Sequence, residues 1–437
     1  MNYLARARTL ISGVPYDISS DDSTLAPSEV RAGLKLSLIE GVFAQVHITV
    51  TAGAFLTGFA LLLGAGNITL GIAAAIPFLI QPLQLLGAWL IERSGTRKKI
   101  TVSGSLGRAF WLLLLLLPYL PLTTNQRLVA LVITLLCSHS LLTLCSNAWI
   151  HWMTDLVPPR LRGRYFGIRN TAMAACAMVV NAGAGMWLDH MRTLGRTRDG
   201  YALLFGVAVL CAAFGTTLLA RQPEPPMQSR VQLPLADIFR IPWRLPNFRR
   251  FMIAMIVWNM ALGTAASFFG AHALQVLHIP FTTLAMFDVL TSAISLLSLP
   301  LWGRIADRVG HRKVLLICTL GVIGLPLNWV FATPATMWIL YVNAIISGIW
   351  WPGLLLAQSN RLMEQVPNEA RGAYLALFAA MTGLGYFMAS TLAGGLADLL
   401  ANVQWSLGPL TVNNYQTLFI IAALLRGSVV VFWRKAL

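Results

Sequence analysis

Long apolar stretches, each about the length that crosses a bilayer, follow one another along the chain with short polar breaks between them. A helix needs roughly 20 mostly apolar residues to cross a hydrocarbon core of about 30 Å, because in lipid every backbone N–H and C=O has to be satisfied within the segment. Such stretches fall at residues 36–63, 68–91, 99–120, 127–153, 164–190 and 200–220, then at 250–277, 281–303, 313–333, 336–361, 371–398 and 413–433. The pattern predicts an all-α membrane protein of about twelve transmembrane helices in two groups of six.

Three segments fall outside this pattern: a polar N-terminal tail over 1–35, a linker over 221–249 rich in Pro and Arg, and a short basic end over 434–437. The expected units are therefore a six-helix half at 36–220 and another at 250–433, joined by the linker. The tail has no basic start running directly into an apolar stretch, so no cleavable signal peptide is expected.

Composition agrees with lipid as the partner: 57% of residues are hydrophobic and only 11% charged, against roughly 25% charged in a soluble domain. A net charge of +16 raises nucleic acid as a partner, but the bases form no single face on a soluble domain. Their placement points instead to membrane orientation. Of the 32 Lys and Arg, seven (Arg108, Arg127, Arg169, Arg192, Arg196, Arg198 and Arg426) lie within spans or on the odd connections. The other 25 lie at the two ends and on the even connections. Positive charge accumulates on the cytoplasmic side, so both termini are expected there. Cys137, Cys145, Cys176, Cys211 and Cys318 all fall inside spans without metal-ligand spacing, and read as small packing residues.

The two halves repeat each other. After the second stretch stands Ala88-x-x-x-Glu92-Arg93-x-Gly95-x-Arg97-Lys98, and after the eighth stands Gly303-x-x-x-Asp307-Arg308-x-Gly310-x-Arg312-Lys313, shifted by 215 positions. A second series is shifted by 209: Asp155, Pro158, Arg162 and Gly163 correspond to Glu364, Pro367, Arg371 and Gly372, and Gly185 and Asp189 to Gly394 and Asp398. Tandem halves related by an axis along the membrane normal are a common transporter design.

These loops resemble the signature loop of the major facilitator superfamily, G-x-x-x-D-R-x-G-x-R-K. The first copy departs from it with Ala88 for Gly and Glu92 for Asp. Asp155 to Asn170 and Ser37-Leu38-Ile39-Glu40-Gly41 further resemble a bacterial branch of that superfamily without a settled substrate. Asn181-Ala182-Gly183-Ala184-Gly185 resembles only in part the fifth-helix motif of drug/proton antiporters, since the proline is missing. The resemblance implies the superfamily fold and a multi-pass transporter of the bacterial inner membrane. It also implies a gate in which Glu92 meets the start of the eleventh helix near Arg371, and Asp307 the start of the fifth near Arg162. Asp155 would pair with Arg93 or Arg97, and Glu364 with Arg308 or Arg312. A helix start offers free N–H groups and partial positive charge to such an acid.

Ionisable groups inside spans are costly and mark candidate functional positions. Glu40, His47, Arg108, Arg169, Asp288 and Arg426 fall there, and His139, Asn259 and Trp350 add polar or aromatic groups suited to a cavity. Glu40 and Asp288 are candidate proton carriers; Arg108 and Arg169 either hold an anionic group of a substrate or pair with Glu40. No phosphate-binding loop, zinc-protease motif or metal-ligand cluster occurs, so neither a cofactor nor catalysis is expected. The reading is a secondary transporter moving a small organic solute by alternating access, with protons as coupling ion and export favoured. The alternative is a non-transporting accessory or assembly factor with the same fold, its core filled by bulky side chains.

Overall fold

The computed structural model describes residues 25–226, 243, 245–366, 371–407 and 410–433. Among them eleven helices are long and apolar enough to cross a membrane, and Pro27–Val50 with Gly53–Leu62, bent by 43°, form a twelfth span. The bend falls where Thr51 caps the first helix, its Oγ donating to the His47 carbonyl at 2.6 Å, and Gly53 takes a positive φ of 56°. The second span is Asn67–Leu79 with Leu83–Ser94, interrupted just before Pro82; the third runs from Arg97 to Tyr119, with a 3-10 turn at Leu106–Phe110. The fourth to eighth spans are Thr124–Leu156, Arg162–Thr193, Thr197–Arg221, Pro246–Gln275 and Phe281–Val309. The ninth is split into His311–Ile323 and Leu325–Val330; the last three are Trp338–Glu364, Arg371–Leu399 and Asn414–Trp433.

The odd spans run from the end of the bundle that carries the linker, here the linker side, to the opposite end, the far side. A small antiparallel hairpin, β1 (Trp405–Leu407) with β2 (Leu410–Val412), lies on the far side before the twelfth span.

Two seams join the halves: the second span lies along the eleventh, and the fifth along the eighth. Both seams are built from far-side segments. Asn67–Leu79 packs on the eleventh span, whereas Leu83–Ser94, the other part of the same span, packs on the third and fourth spans of its own half. Likewise Gly53–Leu62 meets the seventh and eighth spans, while Pro27–Val50 packs on the fourth, fifth and sixth. One large core cluster extends across the far-side junction, joining Phe55 and Phe59 to Phe268 and Phe281, and a second fills the C-terminal half around Phe251, Trp258 and Leu377.

Candidate functional site

On the linker side the repeated loops have the turn chemistry their glycines require. Gly95 and Gly310 both take positive φ, 64° and 88°, and their N–H groups close the preceding helices on Ile91 and Ala306. Arg97 is buried and pairs with Asp155, and its backbone N–H donates to Glu224 Oε1 at 2.6 Å. Lys98 Nζ donates to the Gln222 carbonyl at 2.9 Å and Trp152 Nε1 to that of Pro223 at 2.9 Å, so the first linker residues are held on the loop. Arg162 donates to the Thr154 and Val157 carbonyls, at 2.6 and 3.2 Å, satisfying the end of the fourth span.

Of the contacts expected from the resemblance, the Asp155–Arg97 pair is present within the N-terminal half, whereas among the described residues Asp307 and Glu364 do not make theirs. Arg162 is tied to its own half, Asp307 and Arg308 are exposed, and Glu364 pairs with Arg361 of its own helix at 3.0 Å in place of the expected Arg308 or Arg312. Arg93 is exposed and lies 5.1 Å over the Trp89 ring; Arg312 is also exposed. The side chains of Glu92 and Arg371 lie outside the described residues. The physical reason is the separation of the halves on this side, where the second span has turned back onto its own half.

Glu40, Arg108 and Arg169 form a buried triad within the N-terminal half. Arg108 Nη1 stands 3.3 Å and Arg169 Nη2 3.5 Å from the Glu40 carboxylate, and the Arg169 guanidinium lies 4.2 Å over the Trp149 ring. The triad lines neither of the two described cavities, so the expected cavity roles of these residues give way to pairing. Three more expectations are corrected. His47 is buried edge-on against Trp111, Asn259 donates to the Met255 carbonyl one turn back on its own helix, and Trp350 packs on Trp302 beside Gly321. None lines a described cavity, because each finds its partner inside its own half.

A cavity of about 530 Å³ lies between the halves, lined by the first, second, fourth, seventh and eighth spans and the ninth to twelfth. Of the expected residues, His139, Asp288 and Arg426 line it. Arg426 is buried and its Nη1 donates to the Val322 carbonyl at 2.9 Å. That carbonyl would normally accept from residue 326, which is Pro and has no N–H. Arg426 therefore substitutes for the missing backbone bond at the break in the ninth span. Ser298 does the same in the tenth, donating at 2.7 Å to the Gly348 carbonyl left open by Pro352. Asp288 is exposed in the cavity, and accepts from Asn181 Nδ2 of the other half at 3.0 Å.

The far side is closed by two matching clasps. Asp189, at the end of the fifth span, accepts from the backbone N–H groups of Phe281 and Thr282 at 2.9 and 2.8 Å, and from the Thr282 hydroxyl at 2.6 Å. Asp398, at the end of the eleventh, accepts from the backbone N–H groups of Asn67 and Ile68 at 3.3 and 3.4 Å, and from Asn67 Nδ2 at 2.7 Å. Each acid thus caps the first turn of a helix in the opposite half, where free N–H groups and partial positive charge favour a carboxylate. Gly185 and Gly394 allow the approach: a Cβ on them would lie 2.9 Å from the Phe281 carbonyl oxygen and 2.6 Å from that of Asn67. The register of these residues across the repeat was visible in the sequence, but their capping role was not. Ser390, whose hydroxyl donates to the Gly71 carbonyl at 2.8 Å, and Tyr386, stacked on Phe78 at 3.7 Å, continue the second–eleventh seam and carried no signal of their own.

The family model of the Major Facilitator Superfamily matches residues 41–294 and 262–436. The chain belongs to the major facilitator superfamily. This major facilitator is 34% identical over 103 residues to the tetracycline resistance protein, class E, of Escherichia coli, a stretch covering 23% of this chain and 24% of that protein. It is 32% identical over 107 residues to the class H protein of Pasteurella multocida, covering 24% of this chain and 26% of that one. It thus spans about a quarter of the length of the curated relatives it matches. A mutant of the nucleoside transporter NupG superposes with a TM-score of 0.70 at 14% identity, over 92% of this chain and 99% of the other. A D-xylose–proton symporter does so with a TM-score of 0.64 at 16% identity, over 94% and 99%. At these identities the shared property is the fold, that of a multi-pass membrane transporter.

Proposed function

We propose that this major facilitator is a secondary transporter that moves a small organic solute across the bacterial inner membrane by alternating access, coupled to protons at Asp288 and running as export. The observation that carries the reading is a solute-sized cavity between two halves that are clasped on the far side and packed within themselves on the linker side. The basic residues favour a cytoplasmic linker side, which makes this an inward-open form. In the opposite form the linker side closes, bringing Asp307 to the start of the fifth span and Glu92 to the start of the eleventh. The triad around Glu40 favours Asp288 as the coupling acid, because Glu40 is already neutralised by two arginines. The relatives matched over part of the chain are named for resistance to a drug, and moving a compound out of the cell is the direction that would serve resistance, which favours export. An accessory protein would have its core filled, and the open cavity speaks against that reading.

The test is flux in proteoliposomes under an imposed pH gradient, with a broad solute panel and the wild type beside Asp288→Asn. Gradient-driven flux of one solute class, lost in the variant, is the expected result. Flux that ignores both the gradient and the variant removes proton coupling, and no flux of any solute from folded protein removes transport.

A further inference from the structure

We infer that the central cavity recognises an organic cation, its protonated nitrogen on Asp288 and its apolar body against the aromatic side chains Phe269, Phe287, Trp329, Trp351 and Tyr386. The inference rests on the transporter reading and adds the chemical class of the solute.

Two acids lie inside the membrane-spanning bundle in contrasting settings. Glu40 is buried and held by Arg108 and Arg169 within 3.5 Å. Asp288 is open to the cavity, and its described partner is the neutral amide of Asn181, which reaches Oδ2 and leaves Oδ1 without a described donor. Among the described residues no Lys, Arg or His forms an ion pair with it. Beside the Tyr386 phenol, the other ionisable groups described on the cavity wall are Arg426 and His139. Arg426 is 2% exposed, spends Nη1 on the proline break, and sits between Trp258 and Trp351 at 5.8 and 5.9 Å. A carboxylate in such surroundings is stabilised by a cation brought by the ligand.

The neutral polar lining narrows the class further. The hydroxyls of Thr51, Thr57 and Thr291 donate to the carbonyls of His47, Gly53 and Ala344, at 2.6, 3.1 and 3.2 Å. Ser267 is bonded to Ser390 at 2.7 Å, and Asn343 accepts from Asn328 at 2.9 Å. With those four hydroxyls committed, the aliphatic hydroxyl and amide donors left on this described lining are those of Ser347 and Asn343, few for a polyhydroxylated solute, and the Arg426 guanidinium, 2% exposed, presents little surface to an anionic one. A cation finds one accessible carboxylate and the faces of aromatic rings, which attract positive charge. The volume of about 530 Å³ falls within the roughly 300–1,000 Å³ of drug-sized sites.

Asp288 also stands on the wall shared with a smaller cavity of about 260 Å³ between the first, fifth and eighth spans, on which Asn181 lies as well. The Asn181–Asp288 bond crosses between the halves. A cation on Asp288 Oδ1 therefore binds beside a bond that ties the fifth span to the eighth, about two turns below the Asp189 clasp.

The test is equilibrium dialysis of the full-length protein in nanodiscs against three probes with one ring system: 1-naphthylmethylamine, 1-naphthylmethanol and 1-naphthaleneacetate. The amine is expected to bind at least about tenfold more tightly than the other two, and Asp288→Asn to erase that preference while leaving the alcohol unchanged. Retained alcohol binding shows that the variant is folded, and Asp288→Glu is expected to restore part of the preference. Tighter binding of the acetate, an Asp288→Asn variant that binds the amine like wild type, or no amine binding up to about 10 mM each overturns the inference. Because dialysis reads binding alone, a solute flux with no preference for cations would leave transport standing while this inference fell.

Discussion

Removing the Glu40 carboxylate would leave Arg108 and Arg169 facing each other in a buried site. A buried pair broken on one side costs about 3–5 kcal/mol, so Glu40→Gln is expected to lower the thermal midpoint strongly, while Asp288→Asn, exposed and unpaired with any base among the described residues, changes it little. Thermal unfolding of the two purified variants in one detergent checks the contrast; equal midpoints would mean the triad is not the structural pair described. Arg426 gives a sharper case. If its main task is to satisfy the Val322 carbonyl, Arg426→Met costs about 1–3 kcal/mol alone and less beside Pro326→Ala, which returns a backbone N–H to the break. The double-mutant cycle reads this directly, and strict additivity would assign Arg426 a different role. At this scale the sequence located the intramembrane charges but not their partners, because depth along a helix says nothing about which neighbour a side chain reaches. Glu40 and Asp288 look alike in sequence; packing alone makes one a fixed pair and the other an open group.

Between elements, the far-side clasps set the balance of the two forms. Each cap of this kind contributes about 0.5–2 kcal/mol relative to Ala, so Asp189→Ala or Asp398→Ala should each shift the balance toward far-side opening by roughly 2- to 30-fold, with the double variant shifting it further. Spin labels on the far-side ends of the fifth and eighth spans, and of the second and eleventh, would report the change as a longer distance population. An unchanged distribution in the double variant would remove the clasps from the gate. Gly394→Val is expected to open the second–eleventh seam more completely, because its side chain meets the Asn67 carbonyl. The spans and the doubling of the halves were legible in the sequence, since hydropathy and the shifts of 215 and 209 report them directly. The breaks were less so. Residues 36–63 read as one stretch, yet the helix bends at Thr51–Gly53, where a local cap and a positive φ override an uninterrupted apolar run.

For the whole molecule, the sequence motif on the linker side describes the form that is not seen, and the clasps on the far side describe the form that is. The same repeat wrote both, with loop acids for one end of the bundle and Asp189 and Asp398 for the other. The clasps also differ from each other. Asp189 and Thr282 are half-buried, Phe281 is buried and the bonds are within 2.9 Å, whereas Asp398 and Ile68 are exposed, Asn67 is half-buried and the bonds reach 3.4 Å. Charge–dipole attraction is screened by dissolved ions most where water has access. With the linker side cytoplasmic, as proposed, raising the electrolyte concentration on the outside should therefore release the Asp398 edge before the Asp189 edge, so the protein would peel open from one side, and its rate of opening would depend on the salinity of the medium in which the cell lives.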